Sequence, residues 1–303
     1  MNKAEFIWMN GKLVKWDDAK IHVLSHGLHY GTGVFEGIRF YDTEDGTAIF
    51  RLEDHVERLF HSWHILGFKM PFSRKQISKA IIQVVKANKL KDGYIRPIVF
   101  LGYGKMGVSP TGAKIDVAIA AWKWGSYFGK KAQEKGLRVI ISSYSKYTPN
   151  AVMTKAKTTG EYITNAVAKH DAEVLGFDET ILLSHEGHVT EGSGENIFIV
   201  RNGVLITPPK GSVLEGITRE SVMKIAKDIG IEVKEDRLTR DQLYIADEAF
   251  FTGTAAEITP ITEIDGRRIG TGRIGPLTKQ LKNAYFNAAR GKDEFYKKWL
   301  SYV

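Results

Sequence analysis

The spacing of apolar residues along this chain changes several times, and each change marks a predicted element. FIWMNGKLVKW carries two apolar-rich runs around Asn10-Gly11, a dipeptide that suits a tight hairpin turn because both residues tolerate positive φ. GIRFY, TAIFRL, GYIRPIVFLGYG and KIDVAIAAWKW read as further strands. Between them, LEDHVERLFHSWHILG and SRKQISKAIIQVVKANK place apolar residues at helical spacing. The first half is therefore expected to be an antiparallel sheet with two helices.

After Trp124 the pattern lapses. GSYFGKKAQEKG is short of apolar residues and rich in glycine and lysine, which marks a linking loop. The expected division is a smaller α/β domain over 1–124, an interdomain loop over 125–136 and a larger α/β domain over 137–303. The second half resumes with LRVIISSY as a strand, a helix across YITNAVAKHDAEVLG, and the strand pair ETILLS and GHVTEG. A second Asn-Gly hairpin, NIFIVRNGVLIT, precedes the helix ITRESVMKIAKDIG, which stops at Gly230. The fold class is mixed α and β.

Composition narrows the chemistry. With 303 residues, 43% hydrophobic, the chain can build one large core or two ordinary ones. It contains no cysteine, so disulfides, thiolate nucleophiles and cysteine-ligated metals drop out, and the prior on lysine chemistry rises. The net charge of +8 comes from basic residues spread among acidic ones, with no arginine-rich block. That pattern argues against nucleic acid and is compatible with steering of small anions. MNKAEFIWMNGK lacks the apolar core of a signal peptide, and no segment has the unbroken apolar length of a membrane span, so a cytoplasmic protein is expected.

Several motifs compete for the functional site. GTGVFEG spaces its glycines as G-x-G-x-x-x-G and puts Glu36 where the dinucleotide fingerprint requires glycine, which rejects that reading. His22, His26 and His29 lie in a segment broken by Gly27 with no carboxylate near in sequence, and no metal is expected there. His55, His61 and His64 read as decoration of a helix face. TKAKTTGEY, from Thr154 to Tyr162, sets Lys155 and Lys157 at i and i+2, so at most one points easily into a site.

Three later segments supply what a lysine cofactor needs. In VTEGSGENIFIV, Glu191 and Glu195 flank a Gly-Ser-Gly turn that lets a flat ligand approach the backbone. In VLEGITRES, Gly216, Ile217 and Thr218 open an amphipathic helix, where free N–H groups and the helix dipole favour a phosphate. In FFTGTAAEITP, the Gly-Thr amides before Glu257 offer a second anion cradle. A lysine, a carboxylate and two phosphate cradles match the needs of pyridoxal 5'-phosphate.

The ordered set HYGTGVFEGIRFY, YIRPIVF, EGSGENIFIV, LEGITRE and FFTGTAAEITP closely resembles the branched-chain-amino-acid aminotransferases of the fold-type IV pyridoxal-phosphate enzymes, from about Ile7 to about Leu281. The resemblance implies the two-domain fold-type IV architecture, like that of D-amino-acid aminotransferase, with the active site at the domain interface. It puts the Schiff-base lysine at Lys157 and leaves Lys155 outside the chemistry. Glu191 matches the partner of the pyridine nitrogen. Arg58 matches the phosphate arginine, joined by Leu214, Gly216, Ile217, Thr218, Gly253 and Thr254. Gly194, Glu195 and Asn196 support the turn, and Tyr162 matches the tyrosine near the phenolic oxygen.

For substrate, Tyr94 and Arg96 project from one face of a strand, a phenol beside a guanidinium that suits carboxylates. In the family the tyrosine helps the Thr254-Ala255 turn bind the α-carboxylate, and the arginine takes the distal carboxylate of glutamate. Phe35, Gly37, Trp124, Tyr127 and Tyr162 match the wall around the substrate side chain. Tyr30, Met106 and Val108 resemble residues that each subunit lends to its partner's site, which implies at least a homodimer and allows a hexamer built from dimers.

The implied reaction is ping-pong transfer of an amino group between L-leucine, L-isoleucine or L-valine and 2-oxoglutarate, giving branched 2-oxo acids and L-glutamate. Two positions depart from the family: Glu161, where many relatives carry Asn, and Glu215, where many carry Pro. A carboxylate beside a phosphate loop is repulsive, so Glu215 is expected to face away from it. The competing readings are another enzyme of the same fold and a basic anion- or nucleic-acid-binding protein, which leaves the lysine–glutamate–phosphate set unexplained.

Overall fold

The computed structural model describes residues 3–303, and every count and absence below refers to them. The chain divides into two compact units. One comprises the residues up to Gly125, Ala156–Tyr162 and Ala288–Val303; the other comprises Ser126–Lys155 and Ile163–Asn287. This differs from a single cut at 125–136 in three respects. The connecting segment contains a helix, Gly129–Lys135, which buries Ala132. The Lys157 segment groups with the first unit because its backbone bonds there. The C-terminus groups there too, because strand Leu300–Tyr302 pairs antiparallel with Gly46–Phe50.

The first unit is built on an eight-stranded sheet. Its opening hairpin is as expected, Phe6–Met9 against Lys12–Lys15, with Asn10 at φ 50° and Gly11 at φ 101°. Helix Leu52–Ile65 buries Leu52, His55, Val56, Leu59, Ser62 and Trp63, a stripe at helical spacing. Helix Arg74–Ala87 starts at a Ser73–Gln76 capping box, worth about 1 kcal/mol, and buries Ile77, Ala80, Ile81, Val84 and Val85. These stripes pack with Ile38, Phe40, Ile95, Val99 and Ile119 of the sheet into one core.

A short segment lies against the sheet strand Gly33–Phe35. Phe35 N–H donates to Lys157 O (3.0 Å), Thr159 N–H to Gly33 O (2.8 Å), and Gly160 N–H to Gly31 O (3.2 Å). Gly31 sits at φ +64°, and a Cβ on it would come within 2.5 Å of Gly160 Cα, so the close approach requires glycine. Lys157 is thus fixed by main-chain bonds to a strand far from it in sequence.

The second unit carries a nine-stranded sheet. Strand Val189–Gly192 pairs with both Glu179–Leu183 and Asn196–Arg201, closing six strands into a ring. The second Asn-Gly hairpin joins Asn196–Arg201 to Val204–Thr207, again with positive φ at Asn202 and Gly203. The core includes Leu137, Val139, Ile181, Ile197, Phe251 and Ile261. No helix is long and apolar enough to cross a membrane among the described residues.

Candidate active site

The first unit brings together one lysine, two arginines and an aromatic wall. Lys157 Nζ donates to the Tyr162 hydroxyl and lies 4.9 Å from the Phe35 ring centre and 4.7 Å from that of Tyr162. Phe35 and Tyr162 meet edge to face at 4.9 Å. The Arg96 guanidinium lies 4.9 Å from the Phe35 ring and 5.5 Å from the Tyr94 ring. Its Nε is buried with no hydrogen-bond partner among the described residues, a polar atom awaiting an acceptor. Tyr94 in turn meets Trp124 edge to face at 4.7 Å. Gly37 admits the Tyr94 phenol, whose oxygen would lie 1.8 Å from a Cβ placed there.

Arg58 is held by a carboxylate that sequence reasoning assigned no role. Glu36 is fully buried and accepts from Arg58 Nε (2.6 Å) and Nη2 (2.9 Å), while His55 Nδ1 lies 2.7 Å away. Burial works against the charge on Glu36, but Arg58 and then His55 outweigh it and hold the carboxyl well below the usual range. Burial likewise pushes His55 down against the pull of Glu36. His55 is therefore no surface decoration, although His61 is exposed. The available signal was a polar pair, His55 and Ser62, on the buried stripe of an amphipathic helix. Ser62 Oγ accepts the Lys157 N–H at 3.0 Å.

His26 is buried, its Nδ1 2.7 Å from Thr32 Oγ1 and its Nε2 2.9 Å from Gly107 O, a satisfied structural histidine. No group of three metal-binding side chains occurs among the described residues. Tyr30, Met106 and Val108 are exposed, at 42%, 40% and 83%.

The second unit gathers the acidic and anion-binding candidates. Glu191 is buried; its Oε2 accepts from Leu214 N–H (3.1 Å) and lies 3.4 Å from Asn196 Nδ2, and its Oε1 pairs with Lys146 Nζ at 2.8 Å. Asn196 Nδ2 also donates to Leu214 O at 3.0 Å, tying the carboxylate to the turn before Gly216. Glu195 accepts from Gly194 N–H at 3.1 Å. Helix Ile217–Asp228 follows Gly216 with no side-chain cap, and Thr218 is buried in its first turn. Gly253 ends strand Glu248–Gly253, paired with Glu257, and Thr254, Ala255 and Ala256 make the turn into strand Glu257–Ile264. Tyr127 falls in this unit, its ring against Phe128 at 4.6 Å.

Lys155, also in this unit, is committed elsewhere. Its Nζ donates to Lys210 O and pairs with Glu215 at 3.2 Å. Glu215 pairs with Lys210 as well, at 3.2 Å, and these two lysines lower its pKa despite partial burial, which raises it. Glu161 is buried.

The family model described as amino-transferase class IV matches residues 33–264. The chain is 51% identical over 297 residues to the branched-chain-amino-acid aminotransferase of Pseudomonas aeruginosa, covering 98% of this chain and 97% of that one. The T.th. branched-chain amino acid aminotransferase, solved with pyridoxamine 5'-phosphate, superposes with a TM-score of 0.97 at 48% identity, covering 100% of this chain and 99% of that one. The same enzyme complexed with N-(5'-phosphopyridoxyl)-L-glutamate gives 0.96 at 48% identity and the same coverage. Identity of this extent over the whole length leaves one conclusion: the chain belongs to the class IV aminotransferases, among the branched-chain-amino-acid aminotransferases.

Proposed function

We propose that the chain transfers amino groups between L-leucine, L-isoleucine or L-valine and 2-oxoglutarate with pyridoxal 5'-phosphate as cofactor. The observation that carries this reading is Lys157 bonded to Tyr162 inside an aromatic wall that also holds the Arg96 guanidinium, its Nε without a protein acceptor among the described residues. The T.th. relative carrying a phosphopyridoxyl-glutamate adduct supports it.

The donor chemistry fits the cofactor. Arg58 in the first unit and, in the second, Thr218, Thr254 and the uncapped first turn after Gly216 are the donors that would suit its phosphate. Glu191 would serve the ring nitrogen as an acceptor. When bound, pyridoxal phosphate supplies the electron sink that makes the substrate Cα proton labile. Lys157 is the amine that anchors the cofactor, and its Nζ takes and returns the Cα proton. Tyr162 keeps that Nζ oriented. Glu36 fixes the Arg58 fork so that the guanidinium loses little further freedom on binding phosphate.

By the family resemblance, Tyr94 in the first unit and the Thr254-Ala255 turn in the second would each offer donors to the α-carboxylate. Phe35 and Trp124 in the first unit and Tyr127 in the second would shield the branched side chain, and Arg96 would receive the distal carboxylate of glutamate. Lys155 is excluded by its bonds to Lys210 and Glu215. The exposed Tyr30, Met106 and Val108 would belong to a subunit contact, as the family resemblance implies, so the working form would be a homodimer or a multiple of it.

The deciding experiment is a donor panel. Protein loaded with pyridoxal phosphate is given each branched L-amino acid, D-alanine or a simple amine, with 2-oxoglutarate as acceptor. Branched donors are expected to yield glutamate fastest. Preference for D-alanine or for the amine overturns the reading.

A further inference from the structure

Glu191 shares its buried site with a cation that no sequence motif singles out. Lys146 directly follows strand Leu137–Ser145, is anchored through its N–H to Leu183 O at 2.8 Å, and is as buried as Glu191 itself, at 7% side-chain exposure each. Its Nζ stands 2.8 Å from Glu191 Oε1. The other oxygen faces neutral donors, Leu214 N–H and Asn196 Nδ2. A carboxylate offers about four lone-pair positions, so acceptor capacity remains for one more donor.

This matters because a buried carboxyl surrounded by neutral groups tends to become an acid, and desolvation drives it there. A neutral Glu191 would donate a proton to a ring nitrogen instead of accepting one from it. A cation in hydrogen-bond contact reverses the preference. Resting on the cofactor role given to Glu191 above, we propose that Lys146 is a positioning residue that keeps Glu191 anionic and oriented, so that the shared proton stays on the cofactor's ring nitrogen. Lys146 touches neither substrate nor cofactor in this assignment. It acts through Glu191.

The test reads the proton directly. Pyridoxal phosphate labelled with 15N in the ring is bound to the wild-type protein and to the Lys146→Met, Lys146→Arg and Glu191→Gln variants, and the nitrogen shift separates pyridinium from neutral pyridine. The affinity of each apoprotein for pyridoxal phosphate is compared with that for its 1-deaza analogue, which has no ring nitrogen, and circular dichroism verifies the fold. Wild type and Lys146→Arg are expected to hold pyridinium and to prefer the natural cofactor. Lys146→Met and Glu191→Gln are expected to show the neutral ring, with that preference reduced. Pyridinium in wild type and in folded, loaded Lys146→Met overturns the proposal alone. A neutral ring already in wild type overturns it together with the role of Glu191. If Lys146→Met does not fold, Lys146→Arg decides: retained pyridinium supports the proposal, and its loss overturns it.

Discussion

Two lysines two positions apart have different partners, and the proposed function uses only one of them. Lys155 Nζ is tied to a main-chain oxygen and to Glu215, whereas Lys157 Nζ meets the Tyr162 phenol within an aromatic wall. Lys157→Ala is expected to abolish turnover and Lys155→Ala to leave most of it. Borohydride reduction with peptide mapping checks this, and label on Lys155 would reverse the assignment. Arg96 tests dual specificity. Arg96→Leu removes a charge-assisted contact worth about 1.5–3 kcal/mol, roughly ten- to a hundredfold, from the half-reactions of glutamate and 2-oxoglutarate only. Single-turnover conversion by leucine should change much less, and equal losses would make Arg96 structural. Glu36→Gln leaves Arg58 without its buried counter-charge and is expected to cost about 3–5 kcal/mol, measured by urea denaturation. Because the folded carboxyl is held below its unfolded value of 4.5, the wild type keeps this contribution in full above that pH. It loses the contribution as pH falls further, and the variant should lack that acid-side decline.

At the scale of elements, the segment carrying Lys157 is held by strand Gly33–Phe35 and by the contact of Gly31 with Gly160. Gly31→Ala must accept a left-handed φ and push against Gly160 Cα. The expected cost is about 1–3 kcal/mol, with weaker retention of the cofactor, read from thermal unfolding and from absorbance after dialysis. Undisturbed retention would mean that this strand does not set the position of Lys157. The hairpins and the two helices of the first unit were legible from local pattern, since Asn-Gly turns and helical stripes are decided within a few residues. Helix Gly129–Lys135 buries a single alanine, too little apolar periodicity to mark it as a helix in the sequence.

For the whole molecule, the proposed subunit contact puts the exposed Val108, Met106 and Tyr30 at the interface. Val108→Glu is expected to shift the protein toward monomer in analytical ultracentrifugation and to lower activity in step; a fully active monomer would remove the shared-site argument. The sequence by itself determined the ordered motifs, and with them the family, the class of reaction and the residue types a phosphate and a ring nitrogen require. It also determined most turns and helices, because their signals are local. The tertiary structure decided which charges neutralise one another: Glu36 with Arg58 and His55, Lys146 with Glu191, Lys155 with Glu215. It likewise decided that the Lys157 segment and the C-terminal strand join the first unit. These partners lie far apart in sequence or leave no periodic trace. A buried charge is stable only beside whichever opposite charge the chain crossings deliver, and local pattern holds no record of those crossings.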